Sequence, residues 1–165
     1  MSGGTVALNV KVRGRRYPPT APYLVTREQI DQFANAVGAD DPAHRDPAVA
    51  RRLGYPTVIA PPTFPVVVTQ PAERHAHADP DLRLDPALAL HWEQSFAYRR
   101  PVFADDRLVV MVHIADVRVS RGTGIVTTRA DVHTETGTPV CVVVSTLAVF
   151  EPDAPRRTAT EPLTG

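Results

Sequence analysis

The chain has 165 residues, 43% hydrophobic and 22% charged, which fits one globular domain and excludes a disordered or fibrous chain. Eighteen basic residues balance eighteen acidic ones, which argues against a general nucleic-acid or membrane-surface binder, since such proteins need a basic excess. The single cysteine, Cys141, excludes an intramolecular disulfide and a thiolate-rich metal site. We expect a cytoplasmic protein, because the N-terminus lacks the layout of a secretory signal and no segment approaches the ~20 apolar residues of a membrane span.

The first third of the chain predicts one strand followed by two helices. Residues 5–12 alternate valine or leucine with small or polar residues, the period of a half-buried strand. Thr26 and Gln29 have the spacing of a capping box, and Gly38 stands where the helix that they begin would end. The Asp-Pro pair at 46–47 predicts the start of a second, shorter helix.

The segment from Thr63 to His77 is ambiguous. The β-branched run at 66–69 favours a strand. Thr63 as a cap and Pro65 in the first turn favour a helix instead, which Pro71 would end or kink. The residues alone leave both structures open.

The second half of the chain predicts four strands, at residues 88–98, 108–119, 125–134 and 140–150. Gln94 is the polar exception on an otherwise apolar face of the first of these strands. Short glycine-containing turns separate the last three, so we expect them to pair as antiparallel hairpins. The pattern predicts an α+β fold with a helix on one face of a sheet. Residues 151–165 have too little apolar content to fold and are predicted to form a loose tail.

Residues 38–47, Gly-Ala-Asp-Asp-Pro-Ala-His-Arg-Asp-Pro, carry the clearest chemical signal. They place His44 close to Asp40 and Asp41 on a tight loop. An imidazole with a neighbouring carboxylate can move a proton to or from carbon or water. The same residues also fit an ordinary solvated loop, so the loop by itself leaves both interpretations open.

This loop resembles the hydratase motif of MaoC-like hot-dog enzymes, Gly-Asp-x-Asn-Pro-Leu-His-x-Asp, with Gly38, Pro42, His44 and Asp46 at matching places. Further stretches similar to the family follow in the same order, at residues 14–20, 53–56, 59–64 and 93–102. Together they look like the N-terminal-type MaoC dehydratases related to the A and C subunits of the mycobacterial hydroxyacyl-ACP dehydratase.

The resemblance implies a single hot-dog domain over residues 1–150, with an antiparallel sheet wrapped around a central helix at 63–76. It implies the reversible loss of water from a (3R)-3-hydroxyacyl thioester, in fatty acid or polyketide biosynthesis. The acyl group would be carried on coenzyme A or on the phosphopantetheine of acyl carrier protein, with no other cofactor and no metal. It also implies a hot-dog dimer, formed with a second copy or with a catalytic MaoC-like subunit.

Carried over residue by residue, the resemblance predicts His44 as the catalytic histidine. The position of the family's catalytic aspartate holds Ala39, which cannot carry a proton. Asp41 or Asp40 is therefore the predicted carboxylate.

The start of the central helix is predicted to bind the thioester through Pro62, Thr63 and Phe64. Pro62 stands at the place of the family's oxyanion donor but has no N–H. Thr63 is the nearest replacement, through its amide or its hydroxyl.

These departures leave three functions open: a dehydratase or hydratase, a non-catalytic acyl-binding subunit that stabilises an intact partner, and a hot-dog thioesterase. Arg99 and Arg100 are interpreted as surface charge or as contacts for the phosphates of the carrier arm. His75 and His77 are interpreted as a solvated helix end rather than a metal site.

Overall fold

The computed structural model describes residues 6–120 and 122–150. Its helices and strands are β1 (Tyr23–Leu24), α1 (Arg27–Val37), α2 (Pro47–Arg52), α3 (Pro65–His77), β2 (Ala89–Tyr98), β3 (Arg107–Ser120), β4 (Thr123–Thr134) and β5 (Pro139–Phe150). The predicted tail at 151–165 lies outside the described residues. None of the helices in the described ranges has the length and apolarity needed to cross a membrane.

The five strands form one antiparallel sheet in the order β1-β3-β4-β5-β2. The sheet curls around α3, which packs against β3, β4 and β5. Alternate residues of β4, such as Ala130 and Val132, are buried in one apolar cluster with Val68 of the helix, as expected for a strand with one face in the core. The predicted α+β architecture and the four predicted strands are therefore confirmed.

Local hydrogen bonds place α1 and α2 where the sequence predicts them. Thr26 Oγ1 accepts from the amide of Gln29, whose side-chain oxygen accepts from the amide of Thr26. Gly38 ends α1 in the left-handed conformation, with φ of 67°, which costs glycine little. Asp46 caps α2 by accepting from the amide of Ala48. These bonds satisfy backbone groups that helix ends leave free.

The ambiguous segment after Thr63 is a helix, and it continues through Pro71 to His77. The prediction that Thr63 caps it is wrong, because the residue before the helix is Phe64, which makes no capping bond. Phe64 is fully buried and stacks edge-on against Phe33 of α1, with ring centroids 5.4 Å apart. Burial of this ring stabilises the fold by about 1.5–3 kcal/mol, so packing rather than a cap fixes the helix start.

The predicted N-terminal strand is wrong over the part of it that the structure describes. Val6, Leu8 and Val12 are buried in a second apolar cluster with Leu82, so the alternation correctly marks their burial. The backbone, however, forms a single 3-10 turn at Val10–Val12 instead of a ladder. A segment whose alternate side chains pack against the core shows the same two-residue period as a half-buried strand, whether or not its backbone joins a sheet.

Strand β2 lies at an edge of the sheet and pairs with β5 alone among the described strands. Its predicted single apolar face is broken by a register shift between His91 and Glu93. Leu90 and Trp92 are 55% and 66% exposed, respectively. The sheet thus presents an unpaired edge with two large apolar side chains beside it.

Candidate functional site

A cavity of about 510 Å³ lies at the start of α3. Its wall combines the 38–47 loop, the segment before α3 and the end of β2. The lining residues are Asp41, His44, Tyr55, Ile59, Ala60, Pro62, Tyr98, Arg99, Arg100 and Pro101. Three of the six residues predicted for the site, His44, Asp41 and Pro62, are therefore on one wall.

His44 is held rigidly on this wall and is only 6% exposed. Its Nδ1 lies 2.8 Å from the carbonyl oxygen of Ile59. The amide of Ile59 in turn donates to the carbonyl of Ala43, so two bonds clip the loop to the segment before α3. A carbonyl only accepts, so Nδ1 carries the proton and Nε2 of the neutral ring has a free lone pair. His44 can therefore act as a base.

The two candidate carboxylates are placed differently. Asp41 lines the cavity and accepts from the amide of Ala43 through Oδ1, which caps the 3-10 turn at Pro42–His44. Asp40 is exposed and is not among the cavity residues. Asp41 is the carboxylate that the fold brings onto the wall with His44.

Arg45 fastens the loop to α1. Its guanidinium donates to Asp31, to Asn35 and to the backbone carbonyl of Ala39 at 2.7–3.0 Å. The residue at the family's aspartate position therefore contributes a carbonyl that holds the loop. Sequence reasoning gave Arg45 no role, because its partners lie 6 to 14 residues away on α1 and the loop.

At the helix start, Pro62 lines the cavity whereas Phe64 lies in the core. Thr63 is exposed and is not among the cavity residues, although it directly follows Pro62. The hydroxyl of Tyr98 donates to the carbonyl of Pro62 at 2.7 Å, and burial raises the pKa of that hydroxyl. Tyr98 therefore ties the end of β2 to the segment before α3.

Two arginines follow β2 on the cavity wall. Arg100 forms a two-bond ion pair with Asp106 at 2.8 and 2.9 Å and lies over the ring of Phe103. Arg99 is exposed. Arg100 is therefore held by contacts within the fold, whereas the exposed guanidinium of Arg99 is available to contact a ligand at the cavity.

The histidines at the far end of α3 differ from the prediction. His75 is exposed, but His77 is partly buried and its Nε2 has no hydrogen-bond partner among the described residues. Burial lowers the pKa of His77 to about 4. The interpretation of both as a solvated helix end is thus wrong for His77, because α3 turns that residue toward the sheet. Within the described ranges, no three His, Cys, Asp or Glu side chains lie close enough to hold a metal ion.

Sequence reasoning also missed Tyr55 as a wall residue. Tyr55 packs at a tilt against Phe103, with ring centroids 6.4 Å apart. Its place after α2, next to a turn at Gly54, was the available signal, because that turn returns the chain toward the 38–47 loop.

Comparison with known proteins identifies relatives over most of the chain. The model of the FAS1-like dehydratase domain region matches residues 11–143. A UPF0336 protein of Saccharopolyspora erythraea is 46% identical over 134 residues, covering 81% of this chain and 86% of the relative. A UPF0336 protein of Streptomyces avermitilis is 44% identical over 142 residues, covering 86% and 95%.

Solved structures share the fold. The C-terminally truncated HadBC (3R-hydroxyacyl-ACP dehydratase) complex from Mycobacterium tuberculosis contains a chain with TM-score 0.73 and 31% identity, over 83% of this chain and 96% of that one. A MaoC-like dehydratase has TM-score 0.79 and 29% identity, over 86% of this chain but only 43% of its own length. The (R)-hydratase from A. caviae, with TM-score 0.62 and 18% identity, supports the fold alone.

Proposed function

The chain belongs to the family of FAS1-like dehydratase domain regions, and on that premise we propose that it reversibly dehydrates (3R)-3-hydroxyacyl thioesters to trans-2-enoyl thioesters. The observation that carries the proposal is the state of His44. The imidazole is buried on the cavity wall, its Nδ1 is bonded to the carbonyl of Ile59, and its Nε2 is free to accept a proton.

In the direction of dehydration, Nε2 of His44 removes a proton from C2 of the thioester. The electron pair forms the C2–C3 double bond, and the C3 hydroxyl leaves as water after receiving a proton from the imidazolium. Asp41, on the same wall, stabilises the imidazolium charge and orients the hydroxyl. Hydration follows the same steps in reverse.

The developing negative charge on the thioester oxygen needs a donor at the start of α3. Pro62 has no N–H to offer. The amide of the next residue, Thr63, donates to no backbone carbonyl among the described residues and lies at the positive end of the helix dipole. We assign the oxyanion contact to this amide.

A second candidate function is that of a subunit which shapes the acyl site for a catalytic partner. Ala39 at the aspartate position and Pro62 at the donor position favour it. Loss of an oxyanion donor commonly costs ~10²–10³ in rate, and loss of an acid or base a further ~10²–10⁴. A chain that had lost both without replacement would depend on another subunit for turnover.

The partner in either case is a second hot-dog subunit on the edge of β2. Unpaired strand edges and exposed apolar side chains such as Leu90 and Trp92 favour association. We propose a heterodimer with an intact MaoC-like subunit, in line with the similarity to a chain of the HadBC complex. Light scattering on the purified chain, alone and after mixing with such a subunit, tests this assembly against a homodimer.

The substrate enters on coenzyme A or on the phosphopantetheine of acyl carrier protein, in the cytoplasm. Exposed Arg99 at the cavity is the residue we assign to the phosphates of that arm. The ligand brings its own carrier, and the proposed chemistry uses no other cofactor.

The deciding experiment incubates the purified chain with but-2-enoyl-CoA. Hydration by the chain alone supports the dehydratase. Hydration that requires an added MaoC-like subunit, and that exceeds the rate of that subunit alone, supports the second function. Release of free thiol without hydration would replace both with a thioesterase.

A further inference from the structure

A buried row of polar side chains lies between α3 and the sheet, separate from the cavity wall. Three of its members recur every four residues on α3 and so share one face of the helix. The other three come from β2, β4 and β5. We call this set the polar seam; its members are Thr69, Glu73, His77, Gln94, Thr128 and Ser145.

The carboxylate of Glu73 is the centre of the polar seam and is 5% exposed. Its Oε1 accepts from Ser145 Oγ at 2.8 Å and from Thr128 Oγ1 at 3.5 Å. Ser145 Oγ also accepts from the side-chain amide of Gln94 at 3.2 Å. Burial raises the pKa of Glu73 in spite of the two hydroxyl bonds. Side chains of β4 and β5 thus bind the buried acid of the helix directly, and Gln94 of β2 joins them through Ser145.

The polar seam also holds polar atoms that the described residues leave unsatisfied. Thr69 is fully buried, and its Oγ1 has no hydrogen-bond partner among them. The same holds for Nε2 of His77. Both hydroxyl bonds to Glu73 use Oε1, so neither of them occupies Oε2. Buried polar atoms without partners lower stability, whereas apolar residues of the same shape would avoid that cost. Packing alone does not explain these residues.

One face of β2 runs from the cavity toward the polar seam. Tyr98 lines the cavity, and Phe96 and Gln94 follow on the same face, since alternate strand residues share a face. Thr69 lies in the second turn of α3, six residues after Thr63, a separation of roughly 9 Å at the rise of a helix. An acyl chain that leaves the cavity between β2 and α3 first meets the apolar ring of Phe96 and then the polar seam.

We propose that the polar seam binds a hydroxyl group in the distal part of the acyl chain. The substrate class is then an acyl thioester oxygenated several carbons beyond C3, rather than a plain saturated chain. A hydroxyl donates and accepts at once, so it can donate to Oε2 of Glu73 and accept from Oγ1 of Thr69. This inference rests on the proposed function, because it takes the acyl thioester as the ligand.

Titration calorimetry of the full chain with two non-reacting thioesters, octanoyl-CoA and 8-hydroxyoctanoyl-CoA, tests the inference. Eight carbons match the distance from the helix start to Thr69. We expect the hydroxylated chain to bind about tenfold more tightly, the effect of one well-placed buried hydrogen bond. Equal or weaker binding of the hydroxylated chain, or no binding of either thioester, overturns the inference.

Two near-isosteric variants, Thr69→Val and Glu73→Gln, are expected to lower the preference for 8-hydroxyoctanoyl-CoA toward unity, mainly by weakening the binding of the hydroxylated chain. Thr146→Val is the matched control, because Thr146 neighbours Ser145 on β5 but pairs with Thr127 outside the polar seam. A preference that survives both seam variants overturns the assignment. If a variant fails to fold, the ratio of the two Kd values for the wild type still decides.

Turnover of but-2-enoyl-CoA is measured on the same samples. This short chain does not reach the polar seam, so its hydration reports on the proposed function alone. If the chain does not hydrate but-2-enoyl-CoA but binds 8-hydroxyoctanoyl-CoA tenfold more tightly, the proposed reaction is wrong and the proposed binding site is supported. If the chain hydrates but-2-enoyl-CoA but shows no preference for the hydroxylated thioester, the reaction is supported and the binding site is wrong.

Discussion

The beginning and the end of α3 hold two histidines in opposite situations. Near the beginning, His44 bonds the carbonyl of Ile59 through Nδ1 and keeps Nε2 free on the cavity wall. At the end, Nε2 of His77 is buried without a described partner, and burial lowers its pKa to about 4. The first imidazole therefore keeps one nitrogen available for the proposed proton transfer. Burial favours the neutral form of the second imidazole, so protonation of His77 at low pH should lower the stability of the fold.

The largest expected effect comes from His44→Ala. Removing the proposed base should lower kcat for hydration of but-2-enoyl-CoA by ~10²–10⁴, the usual loss for an acid–base group. KM should change little, because the imidazole acts on the reacting atoms. Initial rates with and without the partner subunit measure it, and unfolding curves check that the variant folds. Unchanged turnover would remove His44 from the mechanism.

His77 should make the fold acid-sensitive. Its pKa in the folded state, about 4, lies below its ordinary value of 6.5, so the unfolded chain binds more protons at intermediate pH. Stability from the neutral imidazole is therefore present above pH ~6.5 and is lost as the pH falls toward 4, by about 3 kcal/mol in total.

The free energy of unfolding, measured with urea between pH 4 and pH 6.5, should fall less steeply with decreasing pH in His77→Leu than in the wild type. His75→Leu serves as the control, since His75 is exposed two residues away on the same helix. Equal slopes for His77→Leu and the wild type would contradict the burial of a neutral imidazole.

Asp41→Asn sharpens the comparison at the cavity end. The change removes the charge but keeps a side-chain oxygen that can cap the turn at Ala43. We expect kcat to fall about 10²-fold, the lower end of acid–base effects. Asp40→Asn, the exposed neighbour outside the cavity, should leave kcat unchanged. If the two variants behave alike, Asp41 has no special part in proton transfer.

The smallest expected effect concerns Arg45, which holds the loop to α1. Arg45→Gln should lower the free energy of unfolding by about 1 kcal/mol, since the ion pair with Asp31 is partly exposed. It should also lower kcat severalfold, because His44 follows the loop. Arg107→Gln, which breaks the exposed pair with Glu135, is the stability-matched control. A kcat loss in both variants would attribute the effect to general destabilisation.

Local signals in the sequence predicted the parts of the fold that local bonds determine. The capping box of Thr26 and Gln29 and the cap at Asp46 involve residues two or three apart, and both form as predicted. The start of α3 depends on the contact of Phe64 with Phe33 across thirty-one positions, which Thr63 as a nearby cap could not indicate.

The site divides in the same way. The loop motif predicted His44 and Asp41 as site residues, and both line the cavity. The polar seam was not predicted, because Glu73, Thr128 and Ser145 come from three separate elements and no short spacing in the sequence links them. Its one visible sign was Gln94, the polar break in an apolar strand face, whose partner lies 51 positions away.

The open edge of β2 has a practical consequence for work with this protein. A free strand edge is a template for uncontrolled pairing between molecules, and Trp92 beside it adds an adhesive apolar surface. Production of the chain by itself at high concentration therefore favours precipitation. Co-expression with the proposed partner subunit should raise the yield of soluble protein, and the fluorescence of the exposed indole of Trp92 should report whether the edge is covered.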